Sequence, residues 1–174
     1  MVTTLSDGEQ ELLRQLLTRI ADDDNAFLPD LAFRAFHKVV PWPAVEVLIH
    51  DDDGRFVLTY RNDDFIGWHI PGGFMRIDET FQAACDRHVR KEKVADAVSD
   101  LRLIAAHTWL KGEHPYGHNV SLVIACKAVG KVAESELVRW CKDIPSGIIK
   151  EQHPQFLRYF QDWIKGARGA AAIL

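Results

Sequence analysis

The stretch "PGGFMRIDETFQAACDRHVRKEKV", residues 71–94, joins a proline–glycine–glycine turn directly to a helical pattern. Glycine lets the backbone approach a ligand closely because it has no Cβ. A helix from about Asp78 to Ala97, with Asp78 as its N-cap, would place His88 and Glu92 one turn apart on the same face. Such a loop and helix could hold a divalent cation that bridges phosphates. On the residues alone, an equal alternative is that Glu92 is a solvated helix charge and the glycines only turn the chain.

Strand patterns lie on both sides of this stretch. The segments "AVEVLIH" (44–50) and "GRFVLTYR" (54–61) flank "DDDG", which predicts a hairpin because Asp-Gly suits turns with positive φ. A short strand, "WHI", precedes the Pro-Gly-Gly turn. Two more strands, "LRLIAAHTWL" (101–110) and "HNVSLVIACKAV" (118–129), come before the block "ESELVRW" and a last helix from about Pro154 to Lys165. Strands, one central helix, more strands and a closing helix predict an α+β or α/β sandwich.

The N-terminal segment has a different pattern. Leucines and one isoleucine recur at helical spacing between Leu5 and about Ile20, which predicts an amphipathic helix. A second short apolar pattern is broken by Pro41 and Pro43. We therefore expect an N-terminal helical extension over residues 1–42 and a single domain over residues 43–174. The apolar stripe of the first helix either covers an open face of that domain or forms a homodimer interface.

Composition narrows the class of protein. A chain of 174 residues with 47 % hydrophobic residues can bury one core, and the formal net charge of −4 argues against nucleic acid as the main partner. No segment approaches the roughly 20 apolar residues of a membrane span, and the N-terminus lacks the pattern of a secretory signal. Three widely spaced cysteines fit neither a disulfide framework nor a paired-cysteine zinc site. We expect a protein of the reducing cytoplasm with no membrane partner.

The spacing within residues 73–95 resembles the Nudix box. That box reads G, five residues, E, seven residues, R-E-U-x-E-E-x-G-U, where U is a bulky aliphatic residue. Five positions of this sequence match it: Gly73, Glu79, Arg87, Val89 and Glu92. The preceding "GWHIPGG" and the segment "VEVLIHDDDGRFVLTYR" also resemble the Nudix lead-in. The resemblance covers about residues 43–165 and implies a Nudix fold, an α/β/α sandwich around a mixed sheet.

Two departures from the box suggest a particular branch of the family. His88 replaces the first Glu of the R-E pair, and Lys91 replaces the first Glu of the E-E pair. The GDP-mannose mannosyl hydrolase branch lacks the same two carboxylates, keeps the last Glu as a Mg²⁺ ligand and attacks the sugar anomeric carbon. The resemblance implies one Mg²⁺ or Mn²⁺ held by Glu92 and the Gly73 carbonyl. His88 is a further candidate metal ligand, because an imidazole nitrogen suits Mn²⁺ or Zn²⁺, although a hydrogen bond from His88 to Glu92 is as good an alternative.

Substrate contacts follow from the same resemblance. Arg61 matches a phosphate-binding arginine of that branch, and Glu46 stands where the branch uses an aspartate to hold the guanine base. Phe74 is a candidate stacking residue, and Lys91 could bind a phosphate oxygen as a point charge. A lysine beside the metal also disfavours a second Mg²⁺. Arg87, the box arginine, is the expected supplement to charge neutralisation in catalysis.

The general base is the least determined part of the sequence-based mechanism. Glu134 and a loop histidine such as His118 are the candidates for activating water. His107, His114 and His118 could instead form a zinc site, but their irregular spacing favours ordinary loop histidines.

The sequence therefore predicts a metal-dependent hydrolase of a nucleoside diphosphate linked to another moiety, most plausibly a nucleotide sugar resembling GDP-mannose. One alternative is a catalytically impaired module that binds a nucleotide or has a regulatory role. Another is a pyrophosphatase that cleaves at phosphorus, as ADP-ribose hydrolases do.

Overall fold

The computed structural model describes residues 5–21, 28–63, 65–110, 112–114, 117–149, 153–166 and 172–173. The chain divides into two compact units, residues 1–36 and residues 37–174. The domain boundary after residue 42 stays a prediction. No helix within the described ranges is long and apolar enough to cross a membrane.

The first unit contains two helices, α1 (Asp7–Ala21) and α2 (Asp30–Phe36). Helix α1 begins with a capping box, in which the Ser6 amide donates to Glu9 Oε2 (2.8 Å) and the Glu9 amide donates to Ser6 Oγ (3.4 Å). Its apolar stripe is exposed, with Leu12 at 56 % and Leu16 at 44 %. The predicted amphipathic helix is thus present, and its leucines remain accessible.

The described residues of the second unit form two sheets and two helices. Its elements are β1 (Trp42–Ile49), β2 (Phe56–Asn62), β3 (Ile66–His69), β4 (Gly72–Phe74), α3 (Phe81–Lys91), β5 (Val98–Trp109), β6 (Asn119–Ala128), β7 (Val138–Cys141), α4 (His153–Ile164) and β8 (Ala172–Ile173). The larger sheet has the order β4-β1-β6-β5-β8 and the smaller one β3-β2-β7. The β1–β6 pair is parallel and the other pairs are antiparallel, so the larger sheet is mixed. The α+β fold with a mixed sheet is confirmed.

The two faces of β1 belong to different parts of the core. Val45, Val47 and Ile49 pack with buried residues of α3, whereas Leu48 packs with buried residues of α4. Every residue from Ala44 to Ile49 is buried. A strand covered on both faces shows a continuous apolar run, which is why "AVEVLI" does not alternate as a half-exposed strand would.

The predicted β1–β2 hairpin is wrong. The chain does reverse at Asp51–Gly54, but one isolated bridge, His50 with Phe56, is all that joins the two strands in the described structure. A strand has two hydrogen-bonding edges, and both edges of β1 are taken by β4 and β6. The turn signal predicted the reversal correctly, but β1 pairs with β4 and β6, which are distant in sequence and leave no local signal. Strand β2 pairs with the next strand along the chain, β3, and with the distant β7.

Helix α3 is shorter than the sequence predicted, and Asp78 is not its N-cap. Asp78 has a φ of 56°, outside the extended region that an N-cap requires. Thr80 is extended and its hydroxyl accepts from the Ala83 amide (3.1 Å). The helix ends at Lys91 because Lys93 adopts a φ of 57° and the Val94 amide bonds back to the Val89 carbonyl (2.9 Å). That is a Schellman ending, and it makes Glu92 the C-cap.

Candidate functional site

Glu92 lies where α3 meets the smaller sheet. Its Oε2 accepts a short hydrogen bond from the Thr59 hydroxyl and lies 3.1 Å from His69 Nε2. Thr59 and His69 are cross-strand partners on β2 and β3, and their side chains lie 2.9 Å apart. The three polar atoms therefore form a closed triangle in which the Glu92 side chain is 16 % exposed.

The orientation of His69 is set by the backbone of Ile70. His69 Nδ1 lies 2.8 Å from the Ile70 carbonyl, which can only accept, so Nδ1 carries a proton. Nε2 faces the Glu92 carboxylate, which also only accepts, so the hydrogen bond between them requires a second proton on Nε2 and makes His69 an imidazolium. The Ile70 amide donates to His153 Nδ1 (3.3 Å), so that nitrogen is an acceptor and His153 is neutral. Burial, followed by the charge of His69, lowers the pKa of His153 well below its usual value. The triangle is thus backed by a neutral histidine.

The electrostatics of Glu92 favour its ionised form. Burial raises the pKa of Glu92, but the hydrogen bonds from His69 and Thr59 outweigh that effect and lower it overall. Only Oε2 is engaged in these bonds. Within the described residues, Oε1 makes no hydrogen bond and is therefore available to a ligand.

His88 fills the space beneath Gly73. A Cβ on Gly73 would come within 2.7 Å of His88 Cε1, and the φ of Gly73 is +148°, so glycine is required there for two reasons. His88 is 4 % exposed, and neither ring nitrogen meets hydrogen-bond geometry with a described group. Burial and then the charge of Arg87 lower its pKa to about 4, although the nearby Phe74 backbone favours the protonated form. His88 is therefore a neutral, buried imidazole.

The donors near the box fit a cation that is shared with substrate, not a cage made by protein alone. In the part of the chain that the structure describes, no group of three or more His, Cys, Asp or Glu residues could hold a metal ion. What the site offers is one free oxygen of Glu92 and the backbone around Gly73. Mg²⁺ is commonly held by one or two carboxylates together with substrate phosphates and water, so this sparse donor set fits it.

Glu46 is a second buried carboxyl, and it lies close enough to Glu92 to respond to its charge. Its Oε1 accepts from the Ser121 hydroxyl (3.0 Å), which in turn accepts from Trp109 Nε1 (3.1 Å). Burial raises the pKa of Glu46 to about 8; the hydrogen bond from Ser121 opposes that shift and the charge of Glu92 adds to it. At neutral pH Glu46 is therefore mostly protonated. A Cβ on Gly72 would come within 3.0 Å of Glu46 Oε2, so the carboxyl lies directly against the Gly-Gly turn.

Arg87 connects the helix to the loop before it. Its guanidinium makes a bidentate pair with Glu79 (2.6 and 2.7 Å) and also donates to the Phe74 carbonyl (3.0 Å). Glu79 Oε2 accepts from the Arg76 amide as well (2.9 Å). These bonds fix the course of residues 74–79 relative to α3. In this structure the Arg87 guanidinium bonds to Glu79 and to the Phe74 carbonyl.

Three predicted substrate contacts, Arg61, Lys91 and Phe74, differ in the partners that they have in the structure. Arg61 pairs with Asp63 (2.7 Å) and stacks over Phe65, and its charge contributes to the lowered pKa of His153. Lys91 is the last residue of α3, and its side chain is exposed. Phe74 packs edge-on against the rings of His37 and Trp42.

Within the described residues, neither candidate base is hydrogen-bonded to the triangle. Glu134 is exposed in the β6–β7 loop, and its charge acts on Arg55, the residue before β2. The amide of its neighbour Ala133 bonds to the Val94 carbonyl (2.9 Å), which brings this loop next to the end of α3. His118 precedes β6, and within the described ranges it has no hydrogen bond to Glu92, Thr59 or His69.

Among the described residues, the histidines of the histidine-rich loop belong to no group that could hold a zinc ion. His107 bonds through Nδ1 to the Tyr159 hydroxyl (3.0 Å), and its ring lies 4.2 Å from that of Trp109. These two residues, with Thr108, Leu110 and Glu113, line an open pocket of about 470 Å³. Of the predicted loop, Lys111, Pro115 and Tyr116 lie outside the described residues.

Sequence reasoning missed Thr59, His69 and His153. A strand threonine and a histidine inside an apolar strand are usually packing residues, so their residue types gave no signal. The signal that was present is the position of His69, two residues before the Pro-Gly-Gly turn. Its partnership with Thr59 depends on the β2–β3 register, which becomes visible only in the fold.

A family comparison and several solved structures match this chain. The NUDIX domain model matches residues 40–157. The chain is similar to a UDP-X diphosphatase (18 % identity, TM-score 0.58, covering 96 % of this chain and 87 % of that one). It is also similar to the MutT NUDIX hydrolase from Burkholderia pseudomallei, at 21 % identity and a TM-score of 0.56, covering 69 % of this chain and 98 % of that one. A third similar structure is the NUDIX domain of Shewanella oneidensis NrtR complexed with ADP ribose, at 18 % identity and a TM-score of 0.51, covering 85 % of this chain and 97 % of that one. No curated protein matches the sequence. At these identities the structural neighbours establish the fold.

Proposed function

The chain belongs to the Nudix hydrolase family, and from that premise we propose that it hydrolyses a nucleoside diphosphate linked to another moiety, with a nucleotide sugar of the GDP-mannose type as the first candidate. The observation that carries the proposal is the Glu92 carboxylate, ionised and held through Oε2 while Oε1 makes no hydrogen bond to a described residue. Two structural neighbours support the substrate class, one being a UDP-X diphosphatase and the other a domain complexed with ADP ribose.

In this proposal Glu92 Oε1 and the Gly73 carbonyl would hold a single Mg²⁺ or Mn²⁺ together with substrate phosphates, and such an ion would supply positive charge to the diphosphate leaving group. Arg61 would release Asp63 to contact a phosphate, and Lys91 would face the same charge from the end of α3. Neutral His88 is a poorer ligand for Mg²⁺ than for Mn²⁺. We assign it first to supporting Gly73, which it touches.

The roles of the remaining predicted residues follow from their contacts. Arg87 would act through Glu79 and the Phe74 carbonyl, by holding the loop that carries Gly73. Glu46, protonated at neutral pH, could donate a hydrogen bond to a ligand carbonyl, as a base-holding residue must. Glu134, next to the end of α3, is the better-placed of the two candidate bases, and His118 is the second. Phe74 already packs against aromatic rings and would offer an edge of its ring.

Cleavage at phosphorus is the second candidate reaction. Its support is the similarity to an ADP-ribose pyrophosphatase from Streptococcus suis (16 % identity, TM-score 0.50, covering 75 % of this chain and 94 % of that one). Water attack on the sugar anomeric carbon would release a nucleoside diphosphate, whereas attack on phosphorus would release a nucleoside monophosphate. Product identification therefore separates the two reactions.

The decisive experiment compares turnover of the unaltered protein with Glu92→Gln across nucleotide sugars, dinucleotides and ADP-ribose, in Mg²⁺ and then in Mn²⁺. We expect metal-dependent hydrolysis that falls by orders of magnitude in the variant, because an amide cannot replace an ionised ligand. Glu11→Gln, an exposed residue of α1, is the matched control and should leave turnover unchanged. Equal activity in Glu92→Gln and the control would disprove the mechanism. Ligand-induced thermal stabilisation without turnover would identify a binding module instead.

A homodimer through α1 is the proposed assembly. The first half of this helix carries Asp7, Glu9 and Glu11, and the second half carries Arg14 and Arg19. Two copies packed antiparallel would bring the acidic half of one next to the basic half of the other while burying the exposed leucines. The charge order thus supports a second copy of this chain as the partner.

We place the protein in the reducing cytoplasm. Cys85, Cys126 and Cys141 are free thiols, and the first two are buried. Burial raises the pKa of Cys85 to about 12, so it behaves as a small apolar core residue and not as a reactive thiol. This use of cysteine suits a compartment in which disulfides do not form.

A further inference from the structure

We propose that Thr59 and His69 are positioning residues, which hold the Glu92 carboxylate by Oε2 so that Oε1 is presented to a divalent cation. This inference deepens the proposed function and rests on it. Neither residue lies in the helix that carries Glu92; both come from the β2–β3 pair of the smaller sheet.

The location of Glu92 explains why it needs such partners. As the C-cap of α3 it lies at the negative end of the helix dipole, where a carboxylate is disfavoured. It is also largely buried, and Glu46, another carboxyl, lies close enough for its pKa to respond to the Glu92 charge. Donors from outside the helix must therefore compensate an ionised Glu92. The Thr59 hydroxyl and His69 Nε2 are the groups that contact it.

The partners are themselves fixed. Thr59 and His69 are opposite each other in the β2–β3 register, and both are buried, at 3 % exposure each. His69 is further held by its bond to the Ile70 carbonyl, and the His153 ring lies 5.6 Å away in an edge-on arrangement. A residue held on strands is placed more precisely than one on a loop. The direction of the Glu92 carboxylate is thus set by the sheet rather than by the helix end.

The chemical consequence concerns the affinity for metal. A carboxylate with one oxygen bonded inward offers the other as a monodentate ligand in a defined direction. Loss of an outer partner typically weakens metal binding by roughly 10- to 100-fold. The proposal therefore predicts an effect on cation affinity itself, separate from substrate affinity.

The test is Mn²⁺ titration of the full chain with GDP present to supply the phosphate ligands and with GDP alone as the blank, followed by electron paramagnetic resonance. Thr59→Val removes the hydroxyl at nearly constant shape, and Thr59→Ser retains it. His69→Leu removes the donor, and His69→Gln keeps an N–H near the place of Nε2. We expect Thr59→Val and His69→Leu to bind Mn²⁺ roughly 10- to 100-fold more weakly, with Thr59→Ser near the unaltered protein and His69→Gln in between. Thr108→Val, an exposed strand threonine of β5, should bind as the unaltered protein does.

Turnover gives an independent readout. In the weakened variants the Mg²⁺ concentration for half-maximal rate should rise, while the KM for substrate at saturating Mg²⁺ stays within about two-fold. Equal Mn²⁺ affinity in Thr59→Val, Thr59→Ser and the unaltered protein would overturn the positioning role and leave the proposed function standing. Absence of Mn²⁺ binding by the unaltered protein would overturn both the positioning role and the proposed function, so the two failures give different results. A loss in Thr59→Val that Thr59→Ser fails to restore would also overturn the proposal, because the effect would then be one of packing.

Discussion

The imidazole of His88 lies against Gly73 so closely that a Cβ there would come within 2.7 Å of its Cε1. The box carries a carboxylate at the position of His88, and here a neutral ring fills that space and supports the turn from below. The replacement removes a charge from the site and adds a packing contact. His88 therefore removes one carboxylate from the box and packs against the backbone of Gly73 in its place.

Gly73→Ala should destabilise the protein. The φ of +148° is strained for alanine, which alone costs roughly 1–3 kcal/mol, and the contact with His88 adds to that cost. Urea unfolding of the variant measures the loss. Gly112→Ala is the matched control, because Gly112 also has a positive φ (+97°) but no heavy atom within 4 Å of the added Cβ.

The contribution of the contact can be separated from the backbone strain. His88→Ala removes the ring, so the double variant with Gly73→Ala should lose less stability than the sum of the two single changes. If the losses of stability in the two single variants simply add in the double variant, the His88 ring does not contribute to the cost of Gly73→Ala.

Glu79→Gln and Arg87→Met should each lower the free energy of unfolding by roughly 3 kcal/mol, because each leaves a mostly buried charge without its bidentate partner. The double variant should recover part of the loss, which a double-mutant cycle in urea would measure. Asp52→Asn is the control: Asp52 pairs with Lys127 at 99 % exposure, so its loss should cost under about 1 kcal/mol. If Arg87→Met abolished turnover at unchanged stability, Arg87 would act on substrate directly.

Glu46 should give the protein a recognisable pH dependence. Its pKa is about 8 in the folded state against 4.5 as the ordinary value. Between these values the folded protein holds a proton that the unfolded chain has released, so stability falls as pH rises from about 4.5 to about 8 and then levels off. Glu46→Gln should remove this part of the fall. Urea unfolding from pH 5 to pH 9 compares the two curves, and parallel curves would contradict the raised pKa.

Dimerisation should depend on the leucines of α1. The double variant Leu12→Gln with Leu16→Gln removes two exposed apolar side chains without altering the charges. Light scattering should show a dimer for the unaltered protein and a monomer for the variant, at the same melting temperature for the second unit. As a charge test, Arg14→Glu with Arg19→Glu should also dissociate the pair. A monomeric mass for the unaltered protein would rule the interface out.

Local patterns determined more of the fold than of the site. Periodicity found α1, α4, β5 and β6, and the box spacing identified the family, because both signals lie within continuous segments. Strand pairing was different: both edges of β1 are occupied by strands distant in sequence, so a sound turn signal at Asp51–Gly54 led to the wrong partner. The end of α3 was likewise decided by Lys93, which adopts a left-handed backbone conformation. Glycine is the usual residue at that position, so a lysine gave no signal in the sequence.

By itself, the sequence determined the Nudix frame and singled out Glu92, since the spacing of a helix and its preceding turn is fixed by covalent geometry. Only the tertiary structure decided what surrounds that carboxylate. Thr59 and His69 reach Glu92 because β2 and β3 pair in one particular register, and Glu46 is protonated at neutral pH because the fold buries it. Hydrogen bonding and desolvation depend on which distant segments meet, and these two effects set the charge and direction of the group on which the proposed chemistry depends.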